Sequence, residues 1–316
     1  MPRVVALAGG VGGAKLAHGL QQVLGRGELT VVVNTGDDQE FHGLLVCPDH
    51  DTVLYTLAGL ADREQGWGLA GETWAAAGML ERLGEQAWFR LGDNDLAVHV
   101  HRTRRLQAGE RLTAVNRGIQ RALGVTTPIL SMADEPVRTR VLTPAGWIPF
   151  QEYFVRLHQA PDVLEVAFAG IDAARPTPEV AAALEAAEVV VLCPSNPFVS
   201  IGPILAVPGM RPLLDAARAR GVRVAAVSPL VGGRALRGPA DRMAASLGGE
   251  ASATGIARLY AGLVDALLVD DVDTAEAPAI ARLGIEPVVG PTVMGDDASR
   301  ASLAAAAVAA AWRGAS

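Results

Sequence analysis

The chain has 316 residues, half of them hydrophobic, and 27 basic against 34 acidic side chains give it a formal charge of −7. That length suits one large α/β domain or roughly two of ordinary size, and the apolar share excludes disorder, a collagen and a small disulfide scaffold. An acidic balance without any Lys/Arg run excludes the basic patch that a nucleic acid or an anionic membrane surface requires.

Two cysteines, Cys47 and Cys193, are too few for a disulfide framework or a four-cysteine zinc site, and they read as small buried hydrophobes in a reducing compartment. Only five apolar residues separate Arg3 from the first glycine, too few for a signal sequence, and the apolar stretch 303–311 is too short to span a bilayer. The expected setting is cytoplasmic, with no membrane partner.

In chain order, an apolar strand at Val4–Ala8 leads through glycines into a helix at Ala14–Leu24, and a second strand follows at Leu29–Val33. Helices are predicted at Asp51–Leu60, Glu72–Leu83 and Leu112–Leu123. A hairpin of Arg138–Thr143 with Gly146–Phe154 and a strand at Val163–Ala169 come next. The strand–helix alternation then resumes: Pro178–Ala187 (helix), Val189–Cys193 (strand), Met210–Arg220 (helix), Val222–Val227 (strand), Gly255–Gly262 (helix), Leu267–Val269 (strand) and Ala301–Trp312 (helix). Such alternation indicates an α/β fold with a Rossmann-like parallel sheet. The expected single domain has a core of residues 1–51 and 176–316. Residues 52–175 form an inserted helical and β-hairpin region over the C-terminal edge of the sheet, where open α/β sheets bind ligands.

The segment from Ala8 to Leu16 reads A-G-G-V-G-G-A-K-L and runs from the first strand into a helix. Its four glycines allow close backbone approach, and the helix start offers unpaired N–H groups to a phosphate. Lys15 is the only lysine beside 26 arginines, and it sits directly after this cluster. A dinucleotide fingerprint starting at Gly10 reads G-V-G-G-A-K and fails at its last glycine, and a Walker A loop would need Ser or Thr after the lysine. Asn34-Thr35-Gly36-Asp37-Asp38 ends the second strand, and Pro48-Asp49-His50-Asp51-Thr52 opens the next helix. Carboxylates at strand ends beside a phosphate cradle suit a hard divalent cation, although Asp also favours turns and helix caps. His42 and His50 match no zinc spacing. Arg90 to Asp95 form a polar turn in which Asp93 could cap a helix, and the prolines around Ser195-Asn196 hold two hydrogen-bonding side chains rigidly at a strand end. Ser228-Pro229 through Gly233 repeats that arrangement after the following strand.

Taken together, Gly9 to Lys15, Asn34 to Asp38, Asp49 to Thr52 followed by Tyr55, Leu91 to Asp95, Ser195-Asn196-Pro197 and Ser200 to Pro203 resemble the 2-phospho-L-lactate transferases, the CofD/FbiA family. The resemblance covers nearly the whole chain. It implies transfer of a phospholactyl-type group from a guanylyl diphosphate donor to the deazaflavin Fo, giving coenzyme F420-0 and GMP, with Mg²⁺ and a homodimer. It also implies roles for individual residues. Asp51 and Asp38 would be catalytic, while Asp37, Asp38 and Asp51 would hold Mg²⁺. Asp51, Thr52 and Arg90 would contact Fo, and Gly10, Gly12, Gly13, Lys15, Ser195 and Asn196 would contact the donor nucleotide and its phosphates. Three positions depart from the family pattern: Arg90 replaces Lys, His50 replaces an apolar residue and Asn94 replaces Arg. The competing reading is a YvcK-type regulator that binds UDP-sugars without catalysis.

Overall fold

The computed structural model describes residues 1–86 and 88–312. Seven parallel strands form the central sheet: β1 (Val4–Ala8), β2 (Leu29–Val33), β3 (Ile129–Ser131), β4 (Val189–Leu192), β5 (Arg223–Val227), β6 (Ala266–Val269) and β7 (Glu286–Val289). Their order is β7-β6-β5-β4-β1-β2-β3, so the winding direction reverses between β1 and β4. Every residue of β1 is buried, with Val4, Ala6 and Ala8 in the core on one face and Val5 and Leu7 in the core on the other. A strand covered on both faces reads as a continuous apolar run, which is why β1 and β4 were legible. Strands β3 and β7 were not among the expected elements. β3 is three residues long, and β7 is an edge strand carrying Glu286 and Pro287. β3 comes from within residues 52–175, so that stretch supplies one strand of the core sheet as well as its covering.

Helices α1 (Gly10–Val23), α2 (Pro48–Leu57), α3 (Asp93–Gln107) and α4 (Asp297–Ala311) frame one side of the molecule. α1 begins four residues before the expected start, so the glycines belong to its first turn and not to a loop. α4 starts at a capping box in which Asp296 and Ser299 bond each other's backbone N–H, each near 3 Å. It lies so close to α1 that a Cβ on Gly19 would sit 2.1 Å from the Arg300 carbonyl oxygen.

The middle segment covers the sheet's C-terminal edge. Strands Arg138–Thr143, Gly146–Pro149 and Glu165–Ala169 form a separate antiparallel sheet, and the second of these ends at Pro149, before the expected Phe154. That sheet meets the loop after β2, where Thr139 N–H donates to the Gly36 carbonyl at 2.6 Å. Among the described residues no helix is long and apolar enough to cross a membrane.

Candidate active site

The switch point between β1 and β4 places Gly9 and Ser195 side by side. Ser195 Oγ accepts from Gly9 N–H at 3.1 Å and donates to the Gly9 carbonyl at 2.8 Å. Asn196 bends back on its own loop, its Oδ1 accepting from Phe198 N–H at 2.9 Å. These expected nucleotide contacts therefore shape the crevice in the free protein.

Gly10 takes φ +60°, a conformation suited to glycine, and starts α1. Gly12 and Gly13 serve protein packing: added Cβ atoms would lie 2.2 Å from the Pro194 carbonyl oxygen and 2.7 Å from Ser195 Oγ. Their small size lets α1 close against the loop after β4. The expected cradle already contains one anionic side chain, because Asp49 Oδ1 accepts from Gly10 N–H at 2.7 Å. A helix start leaves its first four N–H groups without intrahelical acceptors. Gly9 and Gly10 are engaged by Ser195 and Asp49, and Val11 and Gly12 complete the first turn.

α2 starts with Pro48, whose missing N–H costs nothing at a first helical position. Its first turn carries Asp49 and Asp51, both buried. Asp49 Oδ2 accepts from Asn34 Nδ2 at 2.9 Å, and Asn34 Oδ1 accepts from Gly36 N–H at 2.7 Å, linking α2 to the loop after β2. That loop carries Asp37 and Asp38, also buried, and each keeps one carboxylate oxygen without a hydrogen-bond partner. Burial pushes the Asp38 carboxyl up to about 7 against the opposing pull of Arg138, and burial with the neighbouring Asp49 pushes Asp37 well above the carboxylate range. Asp49 is raised to about 6 by burial, although the Asn34 and Gly10 donors oppose the shift. Orphaned oxygens on mutually repelling buried carboxyls are the donor set that a hard divalent cation would satisfy. The residues at Asp37 and Asp38 thus fit the expected Mg²⁺.

Asp51 belongs to a different environment. Arg102, wholly buried on α3, donates from Nη1 to Asp51 Oδ2 at 3.0 Å and from Nη2 to Oδ1, a bidentate pair. The Arg102 Nε donates to Asn116 Oδ1 at 2.9 Å. Burial alone would raise the Asp51 carboxyl, but the Arg102 charge overrides it and holds the group well below the carboxylate range. His99 Nδ1 lies 3.8 Å from Asp51, and its Nε2 lies 3.2 Å from Asp95 Oδ1, which also accepts from the Tyr55 hydroxyl at 2.6 Å. Ligand atoms of Asp51, Asp95 and His99 are close enough to share a metal, but Asp51 is already neutralised by a guanidinium. The Arg102 pair fixes Asp51 in place as an anion. Cys47 joins the two environments, its thiol donating to Asp38 Oδ2 at 3.2 Å.

Arg102 and His99 were missed by sequence reasoning, which assigned no element between the Arg90–Asp95 turn and Leu112, and Asp95 was noted only as part of that turn and of the family motif. Their i, i+4, i+7 spacing, one face of a helix, was the available signal. Asp93 does cap a helix, but not its own: its carboxylate accepts from Ala75 N–H at 3.1 Å and Ala76 N–H at 2.9 Å, at the start of helix Ala75–Arg82. Glu72 reciprocates on α3, accepting from Asn94 N–H at 2.8 Å and Asp95 N–H at 2.7 Å. Asn94 thus has a backbone role in this cap. His50 is fully buried, which pushes its imidazole pKa down against the opposing pull of Asp51, 3.5 Å from its Nδ1. Thr52 is buried beside it. Arg90 is exposed, its guanidinium carbon 4.4 Å from the Trp74 ring centroid. Lys15 is half-buried and donates to the Met294 carbonyl at 3.0 Å.

The family described as 2-phospho-L-lactate transferase CofD matches residues 4–288. The chain belongs to this family. A phosphoenolpyruvate transferase of Kitasatospora aureofaciens is 43% identical over 314 residues, spanning 97% of each chain. A 2-phospho-L-lactate transferase of Methanococcoides burtonii is 37% identical, over 92% of this chain and 94% of its own. A crystal structure of a UPF0052 family member from Bacillus halodurans matches with a TM-score of 0.64 at 16% identity, covering 96% of this chain and 98% of that one, a likeness of fold. As a CofD-family phosphotransferase, the protein is an enzyme of coenzyme F420 biosynthesis.

Proposed function

We propose that this CofD-family enzyme transfers a phosphorylated three-carbon acid from a guanylyl diphosphate donor to the terminal ribityl hydroxyl of Fo, releasing GMP and forming an F420-0-type phosphodiester. One observation carries the reading: beside the switch point of the sheet, Asp49 ties the first turn of α1, through Gly10 N–H, to Asn34 at the start of the loop that carries the buried Asp37 and Asp38 with their orphaned oxygens. Phosphoryl transfer depends mainly on positioning and charge neutralisation, and these groups supply both.

In this mechanism the α1 amides of Val11 and Gly12 hold donor phosphate oxygens. Asp37 and Asp38 would hold Mg²⁺, which when bound neutralises charge on the diphosphate and the leaving phosphate. Asp51 keeps lone pairs beyond those used by Arg102, and with them it aligns the acceptor hydroxyl. The hydroxyl oxygen forms the new bond to phosphorus as the phosphorus–oxygen bond to GMP breaks, GMP leaves with that bridging oxygen, and the hydroxyl proton is released to water. Thr52, beside Asp51, and Arg90 over Trp74 contribute to the Fo side. Relatives named phosphoenolpyruvate transferase support phosphoenolpyruvate as the acid carried, and 2-phospho-L-lactate and phosphoglycerate are the alternatives to test. The acting form is proposed to be a homodimer; sedimentation showing only monomer would remove that element.

The deciding experiment incubates the protein with Fo, Mg²⁺ and each of the three guanylyl donors generated in situ, following product mass and GMP release. A deazaflavin phosphodiester from one donor establishes reaction and donor together. No product from any donor, with Fo bound, refutes the reading and favours a nucleotide-binding regulator.

A further inference from the structure

Beside the crevice, on the α1–α4 side, lies a cleft whose lining includes Val11 and Lys15 of α1, Thr56 of α2, Asp62 and Arg63 of the following loop, and Arg300 of α4. It is continuous with the start of α1 through Val11. Arg237, in the loop after β5, reaches across and donates to the Glu64 carbonyl at 3.3 Å and to the Gln65 carbonyl. Four cations therefore converge here, three of them guanidiniums that stay charged at any working pH.

Their counter-charges are fewer. Asp297 is shared, lying 3.3 Å from Arg63, 3.3 Å from Arg300 and 3.9 Å from His18. Asp62 accepts from the amides of Glu64 and Gln65 in its own turn, each at 2.9 Å. The described partners of Lys15 and Arg237 are carbonyls, not acids. Arg300 is 9% exposed, and its buried Nε has no hydrogen-bond partner. Burial, Arg300 and Arg237 all act to lower the Lys15 pKa, and burial and Arg300 do the same to His18. Crowded cations in a partly buried cleft, with an unsatisfied guanidinium N–H, are the arrangement that an oxyanion would complete.

We propose that this cleft is an oxyanion subsite, extending the α1 start, that takes two linked anionic groups: a diphosphate, or a phosphate with an adjacent carboxylate. It deepens the reading above and rests on it for the identity of the ligand, since the donor carries both pairs. Lys15, Arg237 and Arg300 would then hold donor oxygens from the helix side, while Asp37 and Asp38 keep the metal-holding role proposed above.

Calorimetric titrations of the full chain with pyrophosphate, 2-phospholactate, GDP and guanosine test this on wild type, Arg300→Gln and the more exposed Arg237→Gln. Each substitution is expected to weaken the matching anion about tenfold or more, the loss of one charge-assisted contact, and to leave guanosine unchanged. Parallel losses for pyrophosphate and GDP assign the diphosphate; a loss confined to 2-phospholactate assigns the acid end. Anion affinities unchanged in both variants would overturn the subsite. Arginine-dependent pyrophosphate binding without any GDP binding by the wild type would keep the subsite and refute the guanylyl donor.

Discussion

Asp49 and Asp51 stand two residues apart in the first turn of one helix, both buried, yet their carboxyls are shifted in opposite directions. Asp49 faces the α1 start and the Asn34 amide, which are neutral donors, and shares its side with Asp37 and Asp38. Asp51 faces the bidentate Arg102 guanidinium. Burial penalises both charges, and only a full counter-charge overrides that penalty. One half of the site is a set of buried carboxyls with orphaned oxygens; the other has its cation built into the fold.

The largest effect expected from breaking this contrast is on turnover. Asp51→Asn removes the charge proposed to align the acceptor hydroxyl, and kcat is expected to fall by about a hundredfold or more. Near-wild-type kcat would remove Asp51 from the reaction. The same variant leaves the Arg102 guanidinium buried opposite a neutral amide, so its urea midpoint is also expected to fall. On the partner side, Arg102→Met strands a buried carboxylate and is expected to cost about 3–5 kcal/mol in urea unfolding; a cost below about 1 kcal/mol would mean that Asp51 finds another partner.

The Asp38 side predicts the opposite pH behaviour. Its folded value of about 7, and that of about 6 for Asp49, lie above the ordinary 3.8, so the native state binds extra protons between them. The stability this contributes is complete below about pH 4 and lost as pH rises through 6 to 7. Asp51, shifted downward, contributes stability above its ordinary value and loses it in acid. The melting temperature of metal-free protein is therefore expected to fall from pH 5 to pH 8, and to fall less in Asp38→Asn. A flat wild-type profile would contradict the buried-acid assignment, and Mg²⁺ is expected to raise the pH 8 value in wild type but much less in the variant.

Two smaller effects probe the frame around these halves. Gly12→Ala places a Cβ 2.2 Å from the Pro194 carbonyl oxygen, and overpacking of this kind costs about 1–3 kcal/mol. Stability unchanged in that variant would return Gly12 to a purely ligand-facing role. Arg90→Ala should cost only about 0.5–1 kcal/mol from the lost Trp74 contact, while raising the KM for Fo with little change in kcat.

Much of this was open to the sequence alone. Doubly buried strands such as β1 and β4 are uninterrupted apolar runs, so the parallel sheet could be read directly. The glycine cluster, the Asp37-Asp38 pair and the Asp49-His50-Asp51 turn also marked the candidate site, because glycine runs and clustered acids are local features of a chain. What only the tertiary structure decided was which charge meets which. Arg102 lies 51 positions from Asp51, and Arg300 lies 285 from Lys15, so no local pattern couples them. It also decided that Gly12 and Gly13 serve packing, since Pro194 and Ser195 arrive from a distant strand. The sequence set which groups can ionise. The fold, by burying them and choosing their neighbours, set which of them carry charge.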